Sequence, residues 1–308
     1  MGAFDTLSKA YLKDPHHFAD AVNFLLFNGD DIVHPSELRE LDPTEIALTY
    51  GNDANEPVQK IRDIAKMWTG MYDDNAVYLI LGIENQSKIH YAIAVKNMVY
   101  DALNYAKQVI EAKKSRRGES ETSEEFLSGF HKEDKLIPVI TLVIYFGSEE
   151  WDGPKSLYDM FDIKDQRILK YVSDYKVNLI EPYSISPEDF TKFKTELGKV
   201  MEYIKYSKDK VKINQLVHDD AQFWKIHKES FDLINQATNS RLKPILDEGG
   251  NVNMCMAIDE MKKDSEIVGV VKFLMNEMHL SLDEAIGKAA QSFAKTKEYV
   301  EQLVKEAA

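Results

Sequence analysis

Two acidic residues stand where their side chains could bind one metal ion. Asp63 lies in a candidate strand, Lys60 to Met67, and Glu84 ends a near-continuously apolar run that starts at Val77. Carboxylates on adjacent strands can converge at one edge of a sheet. Completed by a backbone carbonyl and waters, they form a hard oxygen site that suits Mg²⁺ or Mn²⁺. Such a metal lowers the pKa of a bound water and generates hydroxide that can attack phosphorus.

The residues after Glu84 extend this predicted site. Glu84 and Gln86 are two apart, so in a strand both side chains point to the same face. Asn85 then points away, which leaves its backbone carbonyl as the expected third protein ligand. The chain has 52 acidic residues, so a pair alone carries little weight. The apolar strand before Glu84 adds weight, because a charge is costly to bury there.

The elements that position these residues follow from the apolar pattern. Helical spacing predicts helices over 16–27 and 92–112, and apolar runs predict buried strands over 77–87 and 138–146. We expect a hairpin turn at 73–75, a polar loop over 113–129 and a third strand over 176–180. From 186 onward the spacing is helical, with helices over 190–204, 254–261, 267–278 and 282–304. Ser281 and Glu284 form a capping-box pattern that opens the last one. This pattern predicts an α/β domain over 1–185 and a helical C-terminal region over 186–308.

Composition limits the class of protein. The chain has 308 residues, 44% hydrophobic and 29% charged, as in a soluble globular protein. No apolar run reaches membrane-spanning length and the N-terminal segment lacks a signal-type apolar core, so we expect a cytoplasmic protein with no membrane partner. The single cysteine, Cys255, excludes an internal disulfide and a zinc site built from cysteines.

Several blocks of the chain, in order, resemble one known family. The blocks include KDPHHFADAVNFLLFNG, IRDI, LGIENQS, YDALNYAKQ and PVITLVIYFGSEEWDGPKSL. They are similar to the recombination-promoting nucleases, also described as a putative transposase family, within the PD-(D/E)XK nuclease superfamily. The resemblance covers about the first 185 residues well and the helical remainder loosely. It implies a restriction-endonuclease-like core, in which a mixed central sheet is flanked by helices.

The resemblance also implies roles for particular residues. Asp63 and Glu84 would be the two catalytic acids and metal ligands. Gln86 occupies the position where the superfamily usually places lysine, and it offers only a neutral amide donor. Catalysis would therefore depend more heavily on the metal.

Four further residues match positions that the family uses near its site. Asp20 and Asn23 lie three apart on the first helix, where another acidic residue is often held. The equally weighted alternative is a solvent-facing Asp and a helix-capping Asn. Tyr105 and Gln108 share a face of the long helix, where they would brace the site, touch DNA or pack.

Together these points predict a Mg²⁺-dependent DNA endonuclease of low sequence specificity, linked to recombination, mobile elements or defence. The net charge of −14 predicts weak, metal- and salt-sensitive DNA binding. With Gln86, it also motivates the alternative of a catalytically weak or inactive nuclease-like interaction protein. The last helices are expected to form a bundle or a homo-oligomer interface. The weaker alternative is a DNA-binding helix-turn-helix that presents Lys288, Lys295 and Lys297 to the groove.

Overall fold

The computed structural model describes residues 3–42, 44–48, 57–61, 63–72, 75–115 and 122–307. The chain divides into two compact units. The first comprises Met1–Lys208 and Asp232–Asn239, and the second comprises Asp209–Phe231 and Ser240–Ala308. The predicted boundary at residue 185 lies inside the first unit, and that division into domains stays a prediction.

The first unit mixes helices and strands. Its strands are β1 Leu38–Glu40, β2 Thr44–Leu48, β3 Pro57–Ile61, β4 Ile64–Tyr72, β5 Asn75–Gln86, β6 Val139–Tyr145 and β7 Asn178–Ile180. Its helices are α1 Ala3–Lys13, α2 Pro15–Phe27, α3 Ile93–Ser115, α4 Ser123–Ser128, α5 Gln166–Leu169 and α6 Leu197–Tyr206. Helix α8, Lys228–Thr238, contributes residues to both units.

A five-stranded mixed sheet forms the centre of the first unit, in the order β1-β4-β5-β6-β7. The pairs β1–β4 and β4–β5 are antiparallel, whereas β5–β6 and β6–β7 are parallel. Strands β2 and β3 form a separate antiparallel pair. Strand β6 is almost wholly buried, which explains its continuous run of branched and aromatic residues. This arrangement confirms the predicted α/β class with a mixed sheet.

Helices cover both faces of the sheet beside the end of β5. Lys96 of α3 contacts Glu84, whereas Ser8 of α1 accepts a hydrogen bond from the Asn85 side chain. Neighbouring strand residues point to opposite faces, so α1 and α3 lie on opposite sides of the sheet. Glu84 and Asn85, which are consecutive in sequence, are thereby held by two different helices, α3 and α1.

Several predicted elements are confirmed and others have different bounds. The helix over 16–27 and the strands over 77–87, 138–146 and 176–180 correspond to α2, β5, β6 and β7. The single candidate strand over 60–67 was wrong, since β3 ends at Ile61 and β4 begins at Ile64. The loop predicted over 113–129 contains the end of α3 and the short helix α4. Of the predicted turn at 73–75, residues 73 and 74 lie outside the described residues.

The second unit is helical throughout its longer elements. They are α7 Lys210–Asp219, α9 Met254–Asn276, α10 Leu282–Ser292 and α11 Lys297–Glu306. Two separate helices were predicted over 254–261 and 267–278, but α9 is continuous from Met254 to Asn276, and no proline interrupts it. The single helix predicted over 282–304 is instead divided, since Ala294 has a positive φ of 52° and Thr296 caps α11.

The last three helices pack on one apolar core. It contains Ile267 and Val271 of α9, four residues of α10, and Val300 and Leu303 of α11. The capping box predicted at Ser281 and Glu284 opens α10. Of the lysines that a helix-turn-helix would present, Lys295 is 2.6 Å from Glu260. This pairing favours the bundle interpretation. Within the described residues, no helix has the length and apolarity needed to cross a membrane.

Candidate active site

Asp63 and Glu84 lie at neighbouring positions at one edge of the β4–β5 pair. Ile64 pairs with Ile83 in the antiparallel ladder, so Asp63 and Glu84 are the next residues beyond that pair. Asp63 Oδ2 accepts a hydrogen bond of 2.9 Å from the backbone N–H of Asn85. Asp63 precedes β4 instead of lying within a strand, and this hydrogen bond orients its carboxylate towards the end of β5.

Glu84 is buried and carries an ion pair that the sequence pattern did not indicate. Its side chain is 1% exposed, and its Oε2 lies 2.6 Å from Nζ of Lys96. Lys96 belongs to the first turns of α3, which are anchored through Ile93 and Ala94 in an apolar cluster that includes Val143. The sheet and the helix thus place one cationic group on the carboxylate that the sequence predicts as a metal ligand.

Asn85 and Gln86 occupy the positions expected from strand alternation. The Gln86 carbonyl accepts from the backbone N–H of Phe146 in β6. Successive residues of a central strand bond to opposite neighbours, so the Asn85 carbonyl faces the β4 side, where Asp63 lies. The Gln86 side chain is on the Glu84 face and is half-buried. The carbonyl predicted as a third ligand therefore has the required direction.

A cleft of about 380 Å³ opens over Asp63, Asn85 and Gln86, whereas Glu84 is buried beneath its lining residue Lys96. Its charged lining comprises three lysines and two aspartates: Lys9, Lys88, Lys96, Asp5 and Asp63. The whole chain has a net charge of −14, whereas these five groups together with Glu84, the ion-pair partner of Lys96, sum to zero. The electrostatic repulsion of a phosphate in the cleft is consequently much weaker than the net charge of the whole chain suggests.

The oxygen donors at this point of the sheet suit a hard divalent cation. The carboxylates of Asp63 and Glu84 and the carbonyl of Asn85 are the ligand types that Mg²⁺ and Mn²⁺ prefer. The ammonium of Lys96 already neutralises Glu84, so a cation bound there would share or displace that contact. These oxygen atoms fit Mg²⁺ or Mn²⁺, and Lys96 would compete with the cation for the Glu84 carboxylate.

Asp20 and Asn23 make hydrogen bonds that organise neighbouring segments of the first unit. Asp20 accepts from the backbone N–H groups of Lys194 and Thr195 at 2.8 and 2.9 Å. Burial raises the pKa of its carboxyl group, although these donors and the Thr195 hydroxyl oppose the shift. Asn23 exchanges two hydrogen bonds with the backbone of Val33. Both side chains are buried, so neither a solvent-facing Asp nor a simple cap describes them.

Tyr105 and Gln108 hold the segment that enters β6. The Tyr105 hydroxyl accepts from the backbone N–H of Val139 at 3.0 Å. Gln108 donates to the carbonyl of Ile137 at 3.1 Å and accepts from its N–H at 2.8 Å. These bonds fix the start of the strand that pairs with β5 and so brace the candidate site. A contact between either residue and DNA stays a prediction.

Sequence reasoning missed Lys96. It lies ten residues after Gln86, across a turn and on a different element, so no strand spacing connects it with Glu84. The sequence offered only a weak indication of this ion pair. Lys96 lies in the first turn of α3, the helix that follows the strand carrying Glu84.

Comparison with known families decides the affiliation of the chain. Residues 66–231, more than half of the sequence, match the family described as putative transposase, YhgA-like. The chain belongs to this family. The YhgA-like family lies within the PD-(D/E)XK superfamily. The matched segment contains Glu84, Gln86 and Lys96, and it begins three residues after Asp63. No curated protein and no solved structure matched the chain.

Proposed function

We propose that this YhgA-like protein is a metal-dependent endonuclease that hydrolyses phosphodiester bonds of DNA. The observation that carries the proposal is the position of Asp63 and Glu84 just beyond the Ile64–Ile83 pair of neighbouring strands, beside a cleft that Asp63, Gln86 and Lys96 line. The transposase family suggests a role with mobile elements and implies DNA as a partner. The restriction-endonuclease-like core and the low sequence specificity belong to the same proposal.

Different residues would bind the metal ion, orient the attacking water and stabilise the phosphate charge. Asp63, Glu84 and the Asn85 carbonyl would hold Mg²⁺, which supplies an activated water and stabilises the leaving oxygen. The Gln86 amide can donate to that water and orient it, but it adds no charge. Lys96 supplies the missing positive charge from α3, close to where the negative charge of the phosphate increases in the transition state.

Lys96 also has a role before any cation binds. Its ammonium stabilises the ionised form of Glu84, because a lone buried carboxylate would be strongly destabilising. If Glu84 held a cation, the Lys96 ammonium, which lines the cleft, would become available to a phosphate oxygen there. Lys96 would thus stabilise Glu84 in the metal-free protein and bind the phosphate in the metal-bound protein.

Plasmid cleavage tests the assignment. The wild-type chain should nick or linearise supercoiled plasmid with Mg²⁺ or Mn²⁺, and Asp63→Ala and Glu84→Ala should abolish cleavage. Lys96→Met should lower the rate by about 10²–10³-fold, the usual loss when one transition-state donor is removed. The matched control is Lys107→Met, on the same helix but about 16 Å further along its axis.

The outcomes separate the two functions that the sequence left open. Equal cleavage by wild type, Asp63→Ala and Glu84→Ala would contradict the site. If the folded wild-type chain binds Mn²⁺ through Asp63 and Glu84 but cleaves no DNA, the alternative of an inactive nuclease-like interaction protein is supported instead. Circular dichroism of each variant establishes that a lost rate does not reflect lost folding.

A further inference from the structure

A second cluster of metal-binding side chains lies in the helical unit, apart from the residues of the proposed nuclease. His218 lies near the end of α7, and Cys255 and Asp259 lie in the first turns of α9. The last two are four residues apart and therefore share one face of the helix. One nitrogen, one sulfur and one oxygen from these residues all lie within 4.8 Å of one another. All three side chains are half-buried.

The spacing of two of these atoms matches two ligands of one metal ion. His218 Nε2 and Asp259 Oδ2 are 3.3 Å apart. This distance also permits a long hydrogen bond, as between His16 Nδ1 and Asp14 Oδ1 at the same 3.3 Å. Zinc binds histidine nitrogen and carboxylate oxygen at about 2.0–2.1 Å, and the tetrahedral angle then separates the two ligands by about 3.3 Å.

The imidazole of His218 is held in the tautomer that a metal requires. Its Nδ1 lies 2.7 Å from the backbone carbonyl of Asn214. A carbonyl only accepts, so Nδ1 carries the proton, and in the neutral imidazole Nε2 is then the nitrogen that can bind a metal. Metal-binding histidines regularly use their second nitrogen in this way.

The partners of Asp259 leave one carboxylate oxygen directed into the cluster. Lys262 donates to Oδ1 at 3.2 Å, whereas Oδ2 faces His218. Lys262 thus orients a charged ligand without occupying its inward oxygen.

The geometry points to a divalent transition-metal site formed by His218, Cys255 and Asp259, with Zn²⁺ as the best-matched ion. The mixed nitrogen, sulfur and oxygen ligands suit Zn²⁺ or Co²⁺ and are too soft for Mg²⁺. Binding releases the thiol proton of Cys255, and the resulting thiolate and carboxylate balance the two charges of the ion. Three protein ligands leave the fourth position open to water or another donor.

The site has a structural consequence within the second unit. It joins α7 to the start of α9 through ligands that are 41 residues apart in sequence. Sequence analysis excluded only a zinc site built from several cysteines. The sequence pattern did not indicate this cluster. Cys255 and Asp259 are four residues apart on one helix, but His218 is distant in sequence and only the packing of α7 on α9 brings it near them.

Cobalt titration of the full chain tests this site directly. Cys255 is the single cysteine of the chain, so a thiolate-to-cobalt charge-transfer band can arise from no other residue. We expect the band to saturate at one Co²⁺ per chain and to disappear when Zn²⁺ is added. Cys255→Ser should remove the band, and His218→Ala should weaken binding at least tenfold.

Two exposed residues of the same unit provide matched controls. Glu266→Gln changes a carboxylate on α9, and His279→Asn changes a histidine whose positive φ of 55° asparagine tolerates. Both variants should bind Co²⁺ as the wild type does.

A measurement on the unmodified protein covers the case in which a variant fails to fold. Zn²⁺ should slow alkylation of Cys255 at least tenfold, whereas Mg²⁺ should leave it unchanged. Absence of the cobalt band together with unchanged alkylation in saturating Zn²⁺ would overturn the proposal. Half an equivalent of metal per chain would also overturn it, since the site would then be shared between two copies.

Discussion

Replacing Lys96 by methionine should destabilise the first unit because it leaves a buried carboxylate without its cation. The Glu84 side chain is 1% exposed, and Lys96 is 30% exposed. Removing one partner of a buried ion pair costs about 3–5 kcal/mol. The partial exposure of Lys96 lets water reach the pair, so we expect a loss of about 3 kcal/mol in the free energy of unfolding.

The same reasoning predicts that a second substitution restores stability. Glu84→Gln removes the charge that Lys96 neutralises, so the double variant should be more stable than Lys96→Met alone. The coupling energy from the double-mutant cycle should be about 2 kcal/mol. Mn²⁺ at a hundred times its dissociation constant should stabilise by about 2.7 kcal/mol through binding to the folded state. At that same Mn²⁺ concentration, set from the wild-type dissociation constant, the stabilisation should be larger in Lys96→Met, where no lysine competes, and absent in Glu84→Gln.

Tryptophan fluorescence during urea unfolding provides the assay. Trp68 and Trp151 are buried in the first unit, whereas Trp224 belongs to the second. A Trp224→Phe background therefore reports the first unit alone. The reasoning is refuted if the coupling energy is below about 0.5 kcal/mol, the level expected of non-interacting sites.

Two further predictions concern the Tyr105–Val139 hydrogen bond in the first unit and the Lys295–Glu260 ion pair in the second. Tyr105→Phe removes the acceptor of the Val139 N–H and should cost about 1–3 kcal/mol by the same fluorescence assay, and an unchanged midpoint would contradict the bracing role. The hydrogen bond from Lys295 lowers the pKa of Glu260, so its stabilisation is present above the ordinary value of 4.5 and is lost as pH falls. Circular dichroism of urea unfolding should show this loss, about 1 kcal/mol or less because the pair is partly exposed. Glu260→Gln should remove that part of the pH dependence, and an identical pH profile would contradict it.

Local patterns determined most of the α/β core. The apolar runs of β5 and β6 and the helical spacing of α2 are properties of contiguous residues, so the sequence alone predicted these elements. The hydrogen-bonding chemistry of Ser281 and Glu284 is equally local, and it correctly predicted the start of α10. The bounds around residues 60–67 were wrong because strands this short have no periodicity to distinguish one strand from two.

The chemistry of both candidate sites was determined partly by sequence and partly by packing. The sequence alone selected Asp63, Glu84 and Gln86, since strand alternation and the family resemblance depend only on residue order. The tertiary structure alone placed Lys96 on Glu84 and His218 beside Cys255 and Asp259. Such contacts join residues on separate elements, and their distances depend on how a helix packs on a sheet or on another helix. No spacing along the chain specifies that packing.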